Sequence, residues 1–266
     1  MVRKTGVVVE LVVAFAAGLF IAILTTPVGV SGAVFLLPVQ LSVLGVPNPA
    51  VTPTNLLFNV VSGPGALLRH GRRGALTGPL TRLMVTGTLP GVVVGAVLRV
   101  YAVPGPHAFR IIVGAFLLPL GAWLCARTVK AQRAARRGPE LAPRAITRLS
   151  FAVGVAGGIY GIGGGSILGP ILVGRGMPVA VVAPAALAST FVTSIAGAAA
   201  YVVLALGAEG SIGPVWAIGL ACGIGGLIGG YLGARWQPRV PERGLRILLG
   251  GLAMLVGVLY LAQSIG

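Results

Sequence analysis

The sequence predicts an all-α polytopic integral membrane protein, with about 8–10 transmembrane segments in two pseudo-symmetric, inverted repeats whose helices break at glycine-rich motifs. Three observations carry that expectation. Only 9% of the 266 residues are charged and 56% are hydrophobic, with a mean hydropathy of +0.99, whereas an ordinary globular chain carries about 25% charge. The apolar residues fall in runs suited to a lipid core, and the chain resembles itself when slid along its own length. Such a composition excludes a disordered chain, a disulfide scaffold and almost any soluble enzyme.

A hydrocarbon core of about 30 Å takes about 20 residues of helix, because backbone polar groups inside it must be satisfied within the segment. In the first half the candidate spans are Val7–Leu24, Gly32–Val46 (short), Ala50–Leu68, Leu76–Leu98 and Ala108–Cys125. The second half offers Leu149–Ile162 and Ser166–Val173 (both short), Val179–Leu206, Val215–Gly233 and Leu245–Ala262. The first run follows Arg3 and Lys4 and contains a cleavage-like Ala14-Phe15-Ala16. It reads as an uncleaved helix, since apolar residues continue past that point and the segment has a later counterpart. The expected organisation is a first membrane repeat over 1–126, a basic cytoplasmic linker over 127–148 and a second membrane repeat over 149–266.

The repeat is visible residue by residue. Gly29-Val30-Ser31-Gly32-Ala33 and Pro38 lie over Gly161-Ile162-Gly163-Gly164-Gly165 and Pro170. After a one-residue gap Gly45-Val46-Pro47 falls on Gly176-Met177-Pro178, and Val51-Thr52-Pro53 on Val182-Ala183-Pro184. Further on, Pro90-Gly91 and Gly95 meet Gly225-Gly226 and Gly230, and Arg110-Ile111-Ile112-Val113-Gly114 meets Arg246-Ile247-Leu248-Leu249-Gly250. Basic residues collect in cytoplasmic loops. With an odd number of crossings per half, 16 of the 20 Lys+Arg fall inside, against 13 for parallel halves. The count favours inversion, and it assigns the basic surplus to orientation rather than to nucleic acid.

The densest motif is Gly157-Gly158-Ile159-Tyr160-Gly161-Ile162-Gly163-Gly164-Gly165-Ser166. Glycine in a helix costs about 1 kcal/mol relative to Ala, so a broken helix is expected there. Unwound backbone at membrane depth lines a cavity or lies buried in protein, and paired breaks in two halves point to a transport site. N–H groups at the start of the following half-helix attract an anion. The candidate binding residues are therefore Gly29, Ser31 and Gly32 in the first break and Gly161, Gly163, Gly164 and Gly165 in the second. Asn55 and Asn59, with Ser62, share one face of the helix after the first break, and Ser189 and Thr190 lie on the matching helix. Glycine-mediated helix packing and interhelical hydrogen bonds are the structural alternatives.

Other chemistries find no support. A dinucleotide fingerprint would need a soluble strand, turn and helix. A rhomboid-type Ser protease reading of Gly29-Val30-Ser31-Gly32 lacks a membrane-embedded His, since His70 and His107 fall in apparent loops, and the repeat replaces Ser31 with Gly163. The acids are Glu10, Glu140, Glu209 and Glu242, with no Asp, so an intramembrane carboxylate relay has one candidate, Glu10. Arg82 and Arg110 lie near span ends, where they can snorkel. Cys125 and Cys222 show no metal spacing. No catalytic residue, metal or cofactor is expected.

The two Gly-x-x-Gly-x-Gly-Gly-Gly-like elements, each followed by Pro and an Ala/Ser/Thr-rich helix, resemble those of the sulfite exporter TauE/SafE family of membrane permeases. The copy Gly158–Pro170 is the closer match; the first departs from it at Ser31 and Ala33. The resemblance implies a multi-pass protein of the bacterial plasma membrane that transports small sulfur-containing anions such as sulfite, sulfonates or sulfoacetate. Its partners would be that anion and the lipid bilayer, with homo-oligomerisation left open. The alternative is a channel or permease for another small solute such as an organic acid.

Overall fold

The computed structural model describes residues 2–48, 50–71, 78–102, 106–130, 141–175, 177–207, 212–239 and 241–265. The centre of the expected linker, with Glu140, and the loop carrying Glu209 lie outside these residues. Among the described residues there is no strand, and ten α-helices follow one another: α1 (Val2–Thr25), α2 (Ala33–Ser42), α3 (Val51–Gly71), α4 (Pro79–Tyr101), α5 (Pro106–Lys130), α6 (Pro143–Tyr160), α7 (Gly165–Gly174), α8 (Val179–Ala205), α9 (Trp216–Trp236) and α10 (Glu242–Ile265). Each of the ten apolar runs overlaps one of them. Among the described residues four stretches are long and apolar enough to cross a membrane: Val7–Thr25, Pro79–Tyr101, Val181–Ala205 and Trp216–Trp236. Exposed Trp216 and Trp236 stand at the two ends of α9, about 30 Å apart at 1.5 Å per residue, the separation of the two interfacial aromatic belts.

Small residues decide which helices touch, because lipid tails leave no hydrophobic drive between helices and close backbone approach is what stabilises the contact. On α4, Gly87, Gly91 and Gly95 recur one turn apart against the backbone of α6, whose Gly154 and Gly158 face α4 in return. On α9, Gly225 and Gly229 press on α1 at Phe15 and Leu19, while Gly18 of α1 faces Cys222. Of the other glycines of α9, Gly219, Gly223, Gly226 and Gly230 face α3. The doublets in α9 thus serve two neighbours, one residue of each pair to either side.

These contacts also fix direction. Along α1 and α9 the touching residues rise together (Phe15 with Gly225, Ile23 with Gly233), as they do along α3 and α9 (Leu57 with Gly219, Ala66 with Gly230) and along α4 and α6 (Gly87 with Thr147, Gly95 with Val155). Helices α1, α3 and α9 are therefore parallel to one another. Helix α8 runs the other way, since Leu56 meets Gly197 while Gly63 meets Phe191, and α4 runs with α8, through Thr88 on Ser189 and Val92 on Gly197. Helices α5 and α10 pack antiparallel, with Gly121 at Gly250 and Gly257 at Leu118. Arg69, Arg82, Arg144, Arg148 and Arg235 consequently share one end of the bundle, called here the basic end.

The short helices α2 and α7 do not face lipid. Leu36 and Leu37 of α2 and Leu168 and Leu172 of α7 are buried in one core with Val182 and Ala186 of α8. Ten residues each, or about 15 Å, they cover half a membrane. Exposed apolar side chains such as Val8, Val12 and Phe20 lie on long α1 instead.

A candidate anion site between two half-helices

Each short helix is preceded by a backbone reversal that glycine makes possible. Helix α1 gives way to a 3-10 turn at Thr26-Pro27-Val28, since proline has no N–H to continue the ladder. Gly29 follows at φ 75° and donates its N–H to the Thr26 carbonyl at 3.0 Å. Helix α6 ends at Tyr160, and Gly161 at φ 71° caps it by donating to the Gly157 carbonyl. Left-handed backbone disfavours any residue with a Cβ. Space forbids one too: at Gly29 a Cβ would stand 2.5 Å from that of Ala183 on α8, and at Gly161 it would run into the Thr52 carbonyl of α3.

The starts of α2 and α7 then meet. The Ser31 N–H donates to the Ser166 hydroxyl at 3.3 Å, and the Ala33 N–H donates to the Ser31 hydroxyl at 3.2 Å. Ser31 in turn donates to Asn59 Oδ1, while Asn59 Nδ2 donates to the Gly161 carbonyl at 3.4 Å. Asn59 thus ties both breaks to α3. The Ser166 hydroxyl donates to the Ile162 carbonyl at 3.0 Å and lies 3.2 Å from Thr190 Oγ1 of α8; the Gly164 N–H donates to Thr193 Oγ1 at 3.4 Å. Two helix N-termini therefore converge, linked through the Ser31, Ser166 and Thr190 hydroxyls. Each N-terminus carries about half a positive charge, and the buried Ser31, Ala33 and Gly164 N–H groups there all donate to hydroxyls.

A cavity opens beside this junction. Thr26, Ser31, Asn59, Ser62 and Thr190 supply its polar wall and Phe58, Leu187 and Phe191 its apolar one; Ala22, Gly32, Gly63, Ala66, Gly226 and Gly230 leave the room. It lies in the halves of α1, α3, α8 and α9 nearest the basic end. The space open to the centre of a water-sized sphere is about 30 Å³, enough for about two waters at 10–15 Å³ each.

The expected site residues divide accordingly. The cavity brings together Ser31, Gly32, Asn59 and Thr190. Gly29, Gly161, Gly163, Gly164 and Gly165 shape the backbone around it: a Cβ on Gly163 would meet Thr190 Cγ2 at 2.6 Å and one on Gly164 the Thr88 Cβ at 2.8 Å. Asn55 points elsewhere, donating to the Ala33 carbonyl at 2.9 Å, and Ser189 pairs with Thr88 at 3.1 Å. Sequence reasoning missed Ser166, Thr26, Phe58 and Phe191. Ser166 had a signal, as the polar residue closing the second glycine run; the aromatic walls had none. The snorkelling expectation for Arg82 leaves out another cation, Arg99, which is fully buried in the last turn of α4. Glu10 is partly exposed on α1, well before the break.

A family model described as Sulfite exporter TauE/SafE matches residues 14–260. The chain belongs to the TauE/SafE family. No curated protein and no solved structure gives a match. As a TauE/SafE protein the chain is a multi-pass membrane transporter from a family of sulfur-anion exporters rather than an enzyme. The match begins at Ala14 and ends at Tyr260, so it takes in both backbone breaks and the residues between and after them.

Proposed function

We propose that this TauE/SafE protein exports a small sulfur-containing oxyanion across the bacterial plasma membrane, holding it where the N-termini of α2 and α7 converge. The single observation that carries the reading is the meeting of those two half-helix starts at a cavity walled by Ser31, Asn59 and Thr190. The anion would replace the hydroxyl caps on the Ser31 and Ala33 N–H groups and take hydrogen bonds from Asn59 and Thr190. A space for about two waters favours a compact ion such as sulfite over sulfoacetate, which carries an additional carboxylate arm.

The two halves, α1–α5 and α6–α10, are read as inverted repeats that rock to alternate access. Several features support this. Equivalent helices run antiparallel in each case, and the contact of α1 with α9 matches that of α6 with α4: Phe15 on Gly225 corresponds to Phe151 on Gly91, Leu19 on Gly229 to Val155 on Gly95. Each break seats on the other half, Gly29 on Ala183 and Gly161 on Thr52. The basic end is cytoplasmic by the distribution of Arg and Lys, so the cavity faces the cytoplasm, the side from which an exporter loads.

Uptake of labelled sulfite, sulfoacetate and an unrelated organic acid into proteoliposomes, with and without a pH gradient, tests the reading. Saturable sulfite flux above empty vesicles is expected, with sulfoacetate slower. Preferential flux of the organic acid would overturn it in favour of a permease for another solute.

A further inference from the structure

The glycine stripe of α4 does not end in glycine. Gly87, Gly91 and Gly95 lead at the same four-residue step to Arg99, while the matching stripe of α9 runs Gly225, Gly229, Gly233. One end of the bundle therefore carries a guanidinium where the other carries a hydrogen atom. The difference coincides with access. Gly233 lies beside Ala22 and Pro27, at the end of the bundle where Ala22, Thr26 and Gly230 line the cavity. At the opposite mouth Arg99 is fully buried. Its Nε donates to Thr52 Oγ1 at 3.4 Å, and its Nη2 donates to Asn48 Oδ1 in the corner between α2 and α3. Thr52 in turn donates to the Ile159 carbonyl at 3.2 Å, and Tyr201 of α8 donates to the Gly158 carbonyl at 2.9 Å. Below lies an apolar collar of Leu56, Ala96, Tyr201 and Ile212, all buried.

Arg99 thus ties α4 to the α2–α3 corner, with the end of α6 joined through Thr52. This is the seam that must part if the substrate is to leave on that side. The Thr52 and Asn48 acceptors are neutral side chains, and an anion is the stronger acceptor for a planar, permanently charged fork. We propose that Arg99 is the gate and exit ligand of the outer mouth: it closes that mouth through Asn48 and Thr52, and when the seam parts it exchanges them for the departing anion. The inference rests on the transport reading for the identity of its ligand, and on the fold alone for the seal.

The test uses Leu56→Cys, one turn deeper than Thr52, in a Cys125→Ser, Cys222→Ala background, labelled from outside in proteoliposomes with anionic and cationic methanethiosulfonates. With Arg99 present, labelling is expected to be slow and to favour the anionic reagent about tenfold. Arg99→Gln is expected to raise total labelling about tenfold, through loss of charge-assisted bonds, and to abolish the preference between reagents. Asn48→Ala, which spares the cation, is expected to raise labelling while keeping that preference. Outer labelling unchanged in both variants, or a reagent ratio unaffected by Arg99→Gln, would overturn the proposal. These outcomes are separable from the transport reading, because labelling needs no substrate: sulfite flux with unchanged labelling defeats the gate alone. Altered labelling without sulfite flux supports the gate and defeats the substrate assignment.

Discussion

Replacing Gly29 by Ala separates two costs that glycine avoids at the first break. Gly29 has φ 75° and would place its new Cβ 2.5 Å from Ala183 Cβ and 2.6 Å from Ala183 Cα. Gly45 has φ 58° but nothing within 4 Å. Left-handed backbone costs an L-residue about 1–2 kcal/mol, offset by about 0.4–1 kcal/mol from the stiffer unfolded chain. Gly45→Ala is therefore expected to destabilise by about 1 kcal/mol. Gly29→Ala adds overpacking of about 1–3 kcal/mol, for a total of about 2–4 kcal/mol. Unfolding by SDS titration in mixed micelles measures both. Ala183→Gly in the Gly29→Ala background should recover only part of the difference, because Ala183 Cα remains in the way. Equal destabilisation at positions 29 and 45, or no coupling between 29 and 183, would refute the seating of the break on α8.

Three further outcomes are expected. Ser31→Ala removes the bond to Asn59 and the cap on the Ala33 N–H; it should cost about 1 kcal/mol of stability and lower sulfite flux by a larger factor than it lowers folded yield. Gly158→Ala pushes a methyl onto the α4 backbone, with the Ala96 nitrogen at 2.9 Å, and should destabilise by about 1–3 kcal/mol, whereas Gly251→Ala, in open space on α10, should stabilise by up to about 1 kcal/mol. Reporters in loops 131–140 and 237–241 should lie on one side of the membrane and a C-terminal reporter on the other; a linker and C-terminus on the same side would exclude five crossings in the second half.

Run length made all ten helices legible, because the bilayer imposes a minimum of apolar residues and punishes any other backbone. Glycine density marks the two stretches in which Gly29 and Gly161 take positive φ. Register was harder. Sliding the chain pairs Gly91 and Gly95 with Gly226 and Gly230, yet Gly225 and Gly229 make the equivalent contacts. Doublets in α9 serve α1 and α3 alike, so composition does not say which residue faces which neighbour. Among site residues, Ser31 and Asn59 were readable as polar groups near a break. Phe58, Phe191 and Gly226 enter the cavity only through the crossing of α3, α8 and α9. Arg99 stands one position beyond the expected span Leu76–Leu98, where sequence gives no sign of burial; the packing of α3, α4 and α8 buries it.

The central claim is that a small anion is held beside Asn59, between the starts of α2 and α7. Sulfite flux through Asn59→Asp in proteoliposomes tests it most directly, since the substitution keeps the shape while it exchanges the donor on the Gly161 carbonyl for one negative charge. At about 5 Å and an effective dielectric of about 20, the repulsion is about 3 kcal/mol. The account predicts a loss of flux on the order of a hundredfold per folded, inserted molecule, alongside some loss of stability, since Asn59 is buried and its donor to the Gly161 carbonyl is removed. Flux within twofold of the parent, in a protein shown to be folded and correctly oriented, would contradict it.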